Sequence, residues 1–496
     1  MQPRAVVLAL AVLSAGLSIR VIGQAPAPLP AAQPSPAADP AMTAFGVHCA
    51  GCHGEALQGG RAGSLLDDTW TYGEDDTSLA TTIRDGRAEA GMPSFRGAFT
   101  DGQIRELVAL IHTRAARAKG APAARATPMV DGVVTSAKHR IRIETLTDQL
   151  ETPWGLAVLP DGRVLVTERP GRLRILDHGK LSPPVAGVPK VWARQDGGLF
   201  DVEAHPRFAE NGWVYLSFAE QKGDTESMTV VIRGRLQGNA LVEQVVIARW
   251  PDQWYWTSNV HYGSRFTFDK DGNLYFSIGD RGHADGAQDL NAPNGKIHRV
   301  TADGAAAPGN PFVSRRDALP SVWSYGNRNP EGLAWHPVTG ELWETEHGPR
   351  GGDEINVITP GANYGWPVVS FGILDTWVSA AVNGQATATT SKPGMAAPVT
   401  YYTPSPGIAP LMFYTGTAFT GWKHDLLVGM LRDEELRRLT IDGHTVVAQE
   451  VLFRGIGRVR DLAQAADGSI YVALATPGAV VSETTAGRVV RLTPVE

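Results

Sequence analysis

The sequence predicts an all-β, six-bladed β-propeller preceded by a small all-α domain, on three observations. A polar turn followed by a strand recurs six times between residues 160 and 473. A second strand trails every copy at short range, so the repeating unit is a hairpin and not a single strand. Ahead of the repeats, residues 41–118 read as mostly helical and are set off by Pro- and Ala-rich linkers at 25–40 and 119–138.

The repeats occupy residues 160–167, 210–217, 270–277, 338–345 and 466–473, with a weaker copy at 421–428. Their partner strands fall at 171–175, 232–236, 295–299, 353–357, 435–439 and 487–491. Asp161-Gly162, Asn211-Gly212, Asp271-Gly272 and Asp467-Gly468 supply the turns. A spacing of roughly 45 to 80 residues is that of four-stranded blades. One blade cannot cover both faces of its own sheet, so the copies must pack around a common axis. A two-sheet sandwich needs no paired motif at this period. The propeller is predicted over 139–496, with the strand-like segment 141–146 joining the last blade to close the ring. Such a ring leaves a pocket at one mouth of its hub.

Composition narrows the functional class. Of 496 residues, 43% are hydrophobic and 19% charged, the balance of a soluble globular protein, and 55 Gly, 34 Pro and 13 Trp suit a turn-rich β body. The net charge of −6, with no basic run, excludes a nucleic-acid partner. At the N-terminus, Arg4, an apolar run over 5–19 and Arg20 predict an export signal over 1–24. That run is short of the roughly 20 residues that cross a bilayer. The expected mature chain is periplasmic and soluble, without a transmembrane span. An uncleaved anchor is the alternative, because Gln24-Ala25-Pro26 makes a poor cleavage junction.

Both cysteines of the chain lie in Cys49-Ala50-Gly51-Cys52-His53. Two thiols one turn apart can add across the vinyl groups of a haem, with His53 as an axial ligand. A redox-active Cys pair is the alternative, against which His53 and the small helical block argue. Gly91-Met92-Pro93 followed by an amphipathic helix at 101–118 resembles the order of small class I cytochromes c. Met92 is thereby expected as the second axial ligand, with His112 as the fallback. Ligation on both faces makes an electron relay, not an oxygen binder.

From about 150 to 493 the chain resembles the soluble PQQ-dependent glucose/sorbosone and aldose sugar dehydrogenases, which are six-bladed propellers. The resemblance rests on motifs in the family's order. They include Gly197-Gly198-Leu199-Phe200-Asp201, Val260-His261-Tyr262-Gly263, Gly279-Asp280-Arg281-Gly282 and Asn327-Arg328-Asn329-Pro330-Glu331. Glu346-His347-Gly348-Pro349, Asn363-Tyr364-Gly365-Trp366 and Arg458-Val459-Arg460-Asp461 follow. The resemblance implies PQQ and calcium as cofactors, beside the haem c expected from the Cys49–His53 motif. It implies His261 as the base that takes the sugar hydroxyl proton, and imidazole suits that task near neutral pH. Arg328, Asn329, Arg432, Arg458 and Arg460 match positions that hold PQQ, whose three carboxylates call for guanidinium partners. Arg432 stands where the glucose dehydrogenases have lysine.

The carbonyls of Gly348 and Pro349 match those that hold a calcium ion at the quinone, and Glu354 with the Tyr364 backbone matches a second, structural calcium. Asp196 takes a PQQ-contact position where relatives carry Gln, so an extra carboxylate stands beside an anionic cofactor. His205 reads as structural. Trp250, Trp254, Tyr255 and Trp256 either wall a sugar site or pack between blades.

The function expected from sequence is therefore oxidation of an aldose, or a related sugar aldehyde or alcohol. Hydride passes to PQQ and electrons to the haem, then to a periplasmic cytochrome or the respiratory chain. Two rivals stay open: a calcium-dependent, lactonase-like propeller hydrolase, and a non-catalytic haem-containing binding protein.

Overall fold

In a computed structural model, residues 40–54, 57, 62–66, 70–87, 92–120, 131–374, 389–477 and 485–495 are described. The predicted export segment 1–24, nearly all of linker 25–40, and residues 121–130 of the second linker lie outside them. Among the described residues no helix is long and apolar enough to cross a membrane.

Six antiparallel sheets form the propeller. Each sequence repeat becomes the second strand of a blade, and its trailing partner the third. In the first blade Val164–Glu168 pairs with Arg172–Asp177, and in the third Leu274–Ile278 pairs with Lys296–Val300. The repeat signal is strongest in these strands because both faces are covered by neighbouring blades. Val164–Glu168, Leu274–Ile278 and Leu342–Glu346 are buried throughout. The predicted closing strand is longer than expected. Arg140–Glu151 pairs with Ala486–Val495 as the fourth strand of the sixth sheet, joining the start of the propeller to its end, and Gly132–Thr135 adds a fifth.

The core is divided into layers between blades. Tyr414, Phe419, Trp422 and Leu427 of the fifth blade pack on Ile143, Val472 and Leu492 of the sixth. Each large apolar side chain in such a layer contributes about 1.5–3 kcal/mol through burial. His205 is buried at a blade turn, where its Nδ1 receives the Arg207 amide and the Asn211 side-chain amide, each at 3.0 Å. The first strand of every blade lies nearest the axis, and all six line the same central channel.

Ahead of the propeller, helices Pro40–His48, Ala50–His53, Asp76–Asp85 and Asp101–Gly120 enclose a separate core. Asp75 caps the third of these, accepting the Ser78 amide at 3.0 Å. Ile104, Leu107, Val108 and Ile111 bury the apolar stripe of the last helix, at the spacing that predicted it.

Candidate active site and haem pocket

A cavity of about 220 Å³ opens at one mouth of the hub. It gathers His261, Arg328, Asn329, Arg432, Arg458, Arg460, Asp196, Gly348 and Pro349, residues drawn from across the chain. Arg169, Glu331 and His347 line it too, and the sequence reading gave them no role. Five guanidinium groups face two carboxylates, so the cavity carries an excess of three positive charges.

His261 sits on a loop at φ 52°, a left-handed conformation that costs a non-glycine residue on the order of 1–3 kcal/mol. Close packing of this loop requires glycine behind it: a Cβ on Gly279 would come within 2.4 Å of the His261 carbonyl oxygen. The imidazole Nδ1 lies 2.7 Å from Asp280 Oδ1. Burial works to raise the Asp280 carboxyl, but His261 and Arg328 hold it below its ordinary value, so it is ionised and only accepts. Nδ1 therefore carries the proton and Nε2 keeps the lone pair. Asp280 is fixed in turn by the Trp366 indole N–H at 2.7 Å and the Gly282 amide at 2.8 Å. Burial, aided by Arg328, pushes the His261 pKa down, with Asp280 and Asp196 opposing. The result is a neutral imidazole with a fixed tautomer, the state of a ready base.

The arginines are held by the protein to different degrees. Arg460 donates to Glu331 at 2.6 Å, Arg328 to the His347 carbonyl at 3.1 Å and Arg432 to the Ser405 carbonyl at 2.6 Å. Glu331 is buried, which would raise its carboxyl, yet Arg460 and His347 hold it well below the usual range. Arg328 Nε is buried without a hydrogen-bond partner. Burial and the neighbouring Arg460 bring the Arg458 pKa down to about 10, still charged at neutral pH. Asn329 uses its carbonyl oxygen on the Gly263 amide and its amide on Glu331, both at 3.0 Å. Asp196 Oδ2 accepts the His261 backbone N–H at 3.3 Å.

Beside this cavity, Glu354 and Tyr364 line a smaller one of about 10 Å³ together with Glu346, Gly348 and Pro349. Glu346 pairs across the strands with Glu354, and Glu344 with Asn356. Burial pushes all three carboxyls up, and Glu346 adds repulsion on Glu344 and Glu354. Glu344 Oε1 and the Asn356 and Asn327 carbonyl oxygens are buried without a donor. Among the described residues, no three His, Cys, Asp or Glu side chains converge in the geometry of a metal site. A cation here would draw on backbone and amide oxygens as well as carboxylate. The donor set suits a hard divalent ion.

The tryptophan cluster settles as packing. Trp250 and Trp256 pack with Tyr255 between blades, Trp256 stacks on His283 at 4.4 Å, and none of the four aromatics lines the active cavity.

In the helical domain, a cavity of about 390 Å³ is lined by Cys49, His53 and Met92, with Trp70 and Arg87 on its wall. His53 Nδ1 lies 3.1 Å from the Gly63 carbonyl, which leaves Nε2 as the nitrogen able to bind iron. Met92 is anchored by a two-way backbone pairing with Arg87, at 2.8 and 2.9 Å. That turn depends on Gly86, at φ 71°, where a Cβ would strike the Pro93–Ser94 backbone at 2.5 Å. Arg87 Nε is buried and unpartnered at this cavity, a donor suited to a carboxylate. His112 pairs with Asp76 at 2.8 Å and does not line the cavity. Burial pushes the Cys49 thiol up to about 12, the reverse of the depressed value a redox pair uses.

Residues 150–482 match the Glucose / Sorbosone dehydrogenase family. The chain belongs to that family. Residues 36–111 match Cytochrome C oxidase, cbb3-type, subunit III, and the helical region is a cytochrome c domain fused ahead of the propeller. The aldose sugar dehydrogenase YliI of Escherichia coli is 37% identical over 344 residues, covering 68% of this chain and 91% of the relative. The solved soluble aldose sugar dehydrogenase of Escherichia coli in its apo-form superposes with a TM-score of 0.64 at 34% identity, over 72% of this chain and 100% of that one. A PQQ-bound aldose sugar dehydrogenase from Streptomyces coelicolor gives a TM-score of 0.57 at 28% identity, over 72% and 99%. This family member is accordingly an oxidoreductase of the sugar dehydrogenase class. The sequence motif around residue 280 had exposed Asp280, but only the fold connected it to His261.

Proposed function

We propose that this protein oxidises an aldose, or a related sugar aldehyde or alcohol, with PQQ as acceptor and passes electrons to a haem c on Cys49 and Cys52. One observation carries the reading: a neutral histidine of fixed tautomer and five guanidinium groups share one cavity. The charge excess complements a tricarboxylate, and the unpartnered Arg328 Nε fits an anionic occupant. The PQQ-bound relative from Streptomyces coelicolor supports the choice of cofactor.

Bound there, PQQ supplies the hydride-accepting carbonyl chemistry that no side chain offers. Arg458, Arg460, Arg328, Arg432 and Asn329 would hold its carboxylates and orient its ring. His261 Nε2 takes the proton of the anomeric hydroxyl as hydride leaves the same carbon, so an aldose becomes its lactone. Asp280 keeps the imidazole aligned and stabilises the imidazolium that forms. The carbonyls of Gly348 and Pro349 would hold a calcium ion that polarises the acceptor, and Glu354 with the Tyr364 carbonyl a second, structural ion. In the cytochrome domain, the cavity bounded by Cys49, His53 and Met92 would hold a haem, with His53 and Met92 as the residues able to bind its iron, and the haem would supply one-electron transfer. The tether between the two domains raises the relay's effective concentration. Export to the periplasm would place both cofactors beside a cytochrome or the respiratory chain.

Apoprotein with its haem attached, given PQQ and calcium, is expected to reduce an artificial dye with aldoses, and its haem band to go from oxidised to reduced on adding sugar. A haem that stays oxidised while the dye is reduced overturns the relay. No dye reduction with any sugar or polyol overturns the dehydrogenase.

A further inference from the structure

The strained backbone at His261 is gripped from both sides. On one side the Asp196 carboxylate accepts the His261 N–H at 3.3 Å, and the Asp196 N–H is bonded to the Asn259 carbonyl at 3.1 Å. On the other side lies Arg281, fully buried. Its backbone N–H reaches the His261 carbonyl at 3.3 Å, and its guanidinium donates to the carbonyls of Val260 and Ser258, the latter at 2.6 Å. The same guanidinium lies 3.5 Å over the Tyr262 ring and reaches Ser227 on the second blade at 3.3 Å. The loop from 258 to 262 is thus tied through one cation to a neighbouring blade and through one carboxylate to the turn at 196.

We propose that Asp196 and Arg281 are a pair of positioning residues that hold His261 in its left-handed conformation, and that Asp196 serves the base and not the quinone. This rests on the proposed PQQ reading for its catalytic consequence, though not for its geometry. A carboxylate repels an anionic cofactor, whereas it is the stronger acceptor for a backbone N–H. Arg281 cannot be replaced by lysine in this role, because a single ammonium lacks the planar fork that reaches two carbonyls and covers a ring at once.

The test uses the full-length chain with haem attached and compares wild type with Asp196→Ala, Asp196→Asn and Arg281→Lys. Amide hydrogen exchange of peptides covering 256–262 reads the clamp without any quinone. Asp196→Ala and Arg281→Lys are expected to speed it about tenfold, with the blade strand 274–278 unchanged as the check on folding. Asp196→Asn, which keeps an acceptor oxygen, is expected to stay near wild type. After loading with PQQ and calcium, Asp196→Ala should slow single-turnover aldose oxidation about tenfold while PQQ affinity and the aldose KM hold within about twofold. Unchanged exchange in Asp196→Ala overturns the clamp. So does a tenfold loss of PQQ affinity at an unchanged oxidation rate, which would make Asp196 a quinone contact. If wild type binds no PQQ, the proposed function fails, and the exchange experiment still decides the clamp.

Discussion

The two ends of the central channel differ in their balance of guanidinium and carboxyl groups. At one mouth, five arginines outweigh Asp196 and Glu331. At the other, a cavity of about 260 Å³ is lined by Asp201, Glu203 and Asp461 against Arg265 alone. Arg265 joins the two ends. It bonds Asp461 at 2.8 Å and Asp201 at 3.1 Å on the acidic side, and the carbonyls of Glu331 and Arg460 at 2.9 and 3.1 Å on the basic side. The titration of buried carboxylates follows this division. Glu331 is held low by its basic neighbours, whereas burial, with Asp201 and Asp461 adding repulsion, lifts Glu203 to about 8. A propeller hub therefore has no intrinsic preference for an anion. The local ratio of guanidinium to carboxylate decides which mouth can take a tricarboxylate.

The sharpest way to break this contrast is to mutate both ends. His261→Ala is expected to cut the rate of sugar oxidation by about 10²–10⁴, as loss of a general base does, with PQQ affinity nearly intact. Glu203→Gln should leave that rate within about twofold in the same stopped-flow assay; a large loss there would mean the far end takes part. Next in size, Arg458→Ala or Arg460→Ala should weaken PQQ binding by about 10- to 100-fold in titrations of apoprotein, the worth of one charge-assisted hydrogen bond. Equal weakening by Glu203→Gln would erase the distinction between the mouths.

Smaller effects come from pH. As the proposed base, His261 would have to be neutral, and its pKa is lowered, so activity should persist down to below about pH 6.5 and fall as the pH drops through the folded value. Arg328→Ala removes a cation that lowers it, so the acid limb of the normalised rate profile should move to higher pH. At the far end the sign is reversed. Glu203 titrates higher folded than unfolded, so its contribution to stability is full below its unfolded pKa and is lost as pH rises through about 8. Melting temperatures measured by circular dichroism should fall between pH 5 and 8 more in wild type than in Glu203→Gln. A flat difference would show that Glu203 is not protonated in the fold.

Much of this was legible from sequence, for physical reasons that differ by residue. The second and third strands of each blade are covered on both faces and so left a repeated apolar signal beside a turn. Met92 stood out by its place between the Cys49–His53 motif and a terminal helix, and the fold puts it at the same cavity as Cys49 and His53. Asp280 was visible only as part of a motif, because its role depends on a hydrogen bond to a residue 19 positions away in the chain. Arg169 gave no signal, and Glu331 and Arg281 were visible only inside motifs, since a buried charge looks the same in sequence whether it faces a cofactor, a backbone carbonyl or another charge. The Trp250–Trp256 aromatics were equally compatible with a sugar wall and with packing until their neighbours were known.

By itself, then, the sequence determined the number of blades, the strand that closes the ring, the cytochrome c domain ahead of them and the set of residue types available for chemistry, because these follow from local periodicity and spacing. The tertiary structure alone decided which arginines converge, which nitrogen of His261 is free, and why one mouth of the channel is rich in guanidinium and the other in buried carboxyl groups. Those depend on distances between residues up to about 300 apart in the chain, over which electrostatic energy is set by proximity in space and not by order along the backbone.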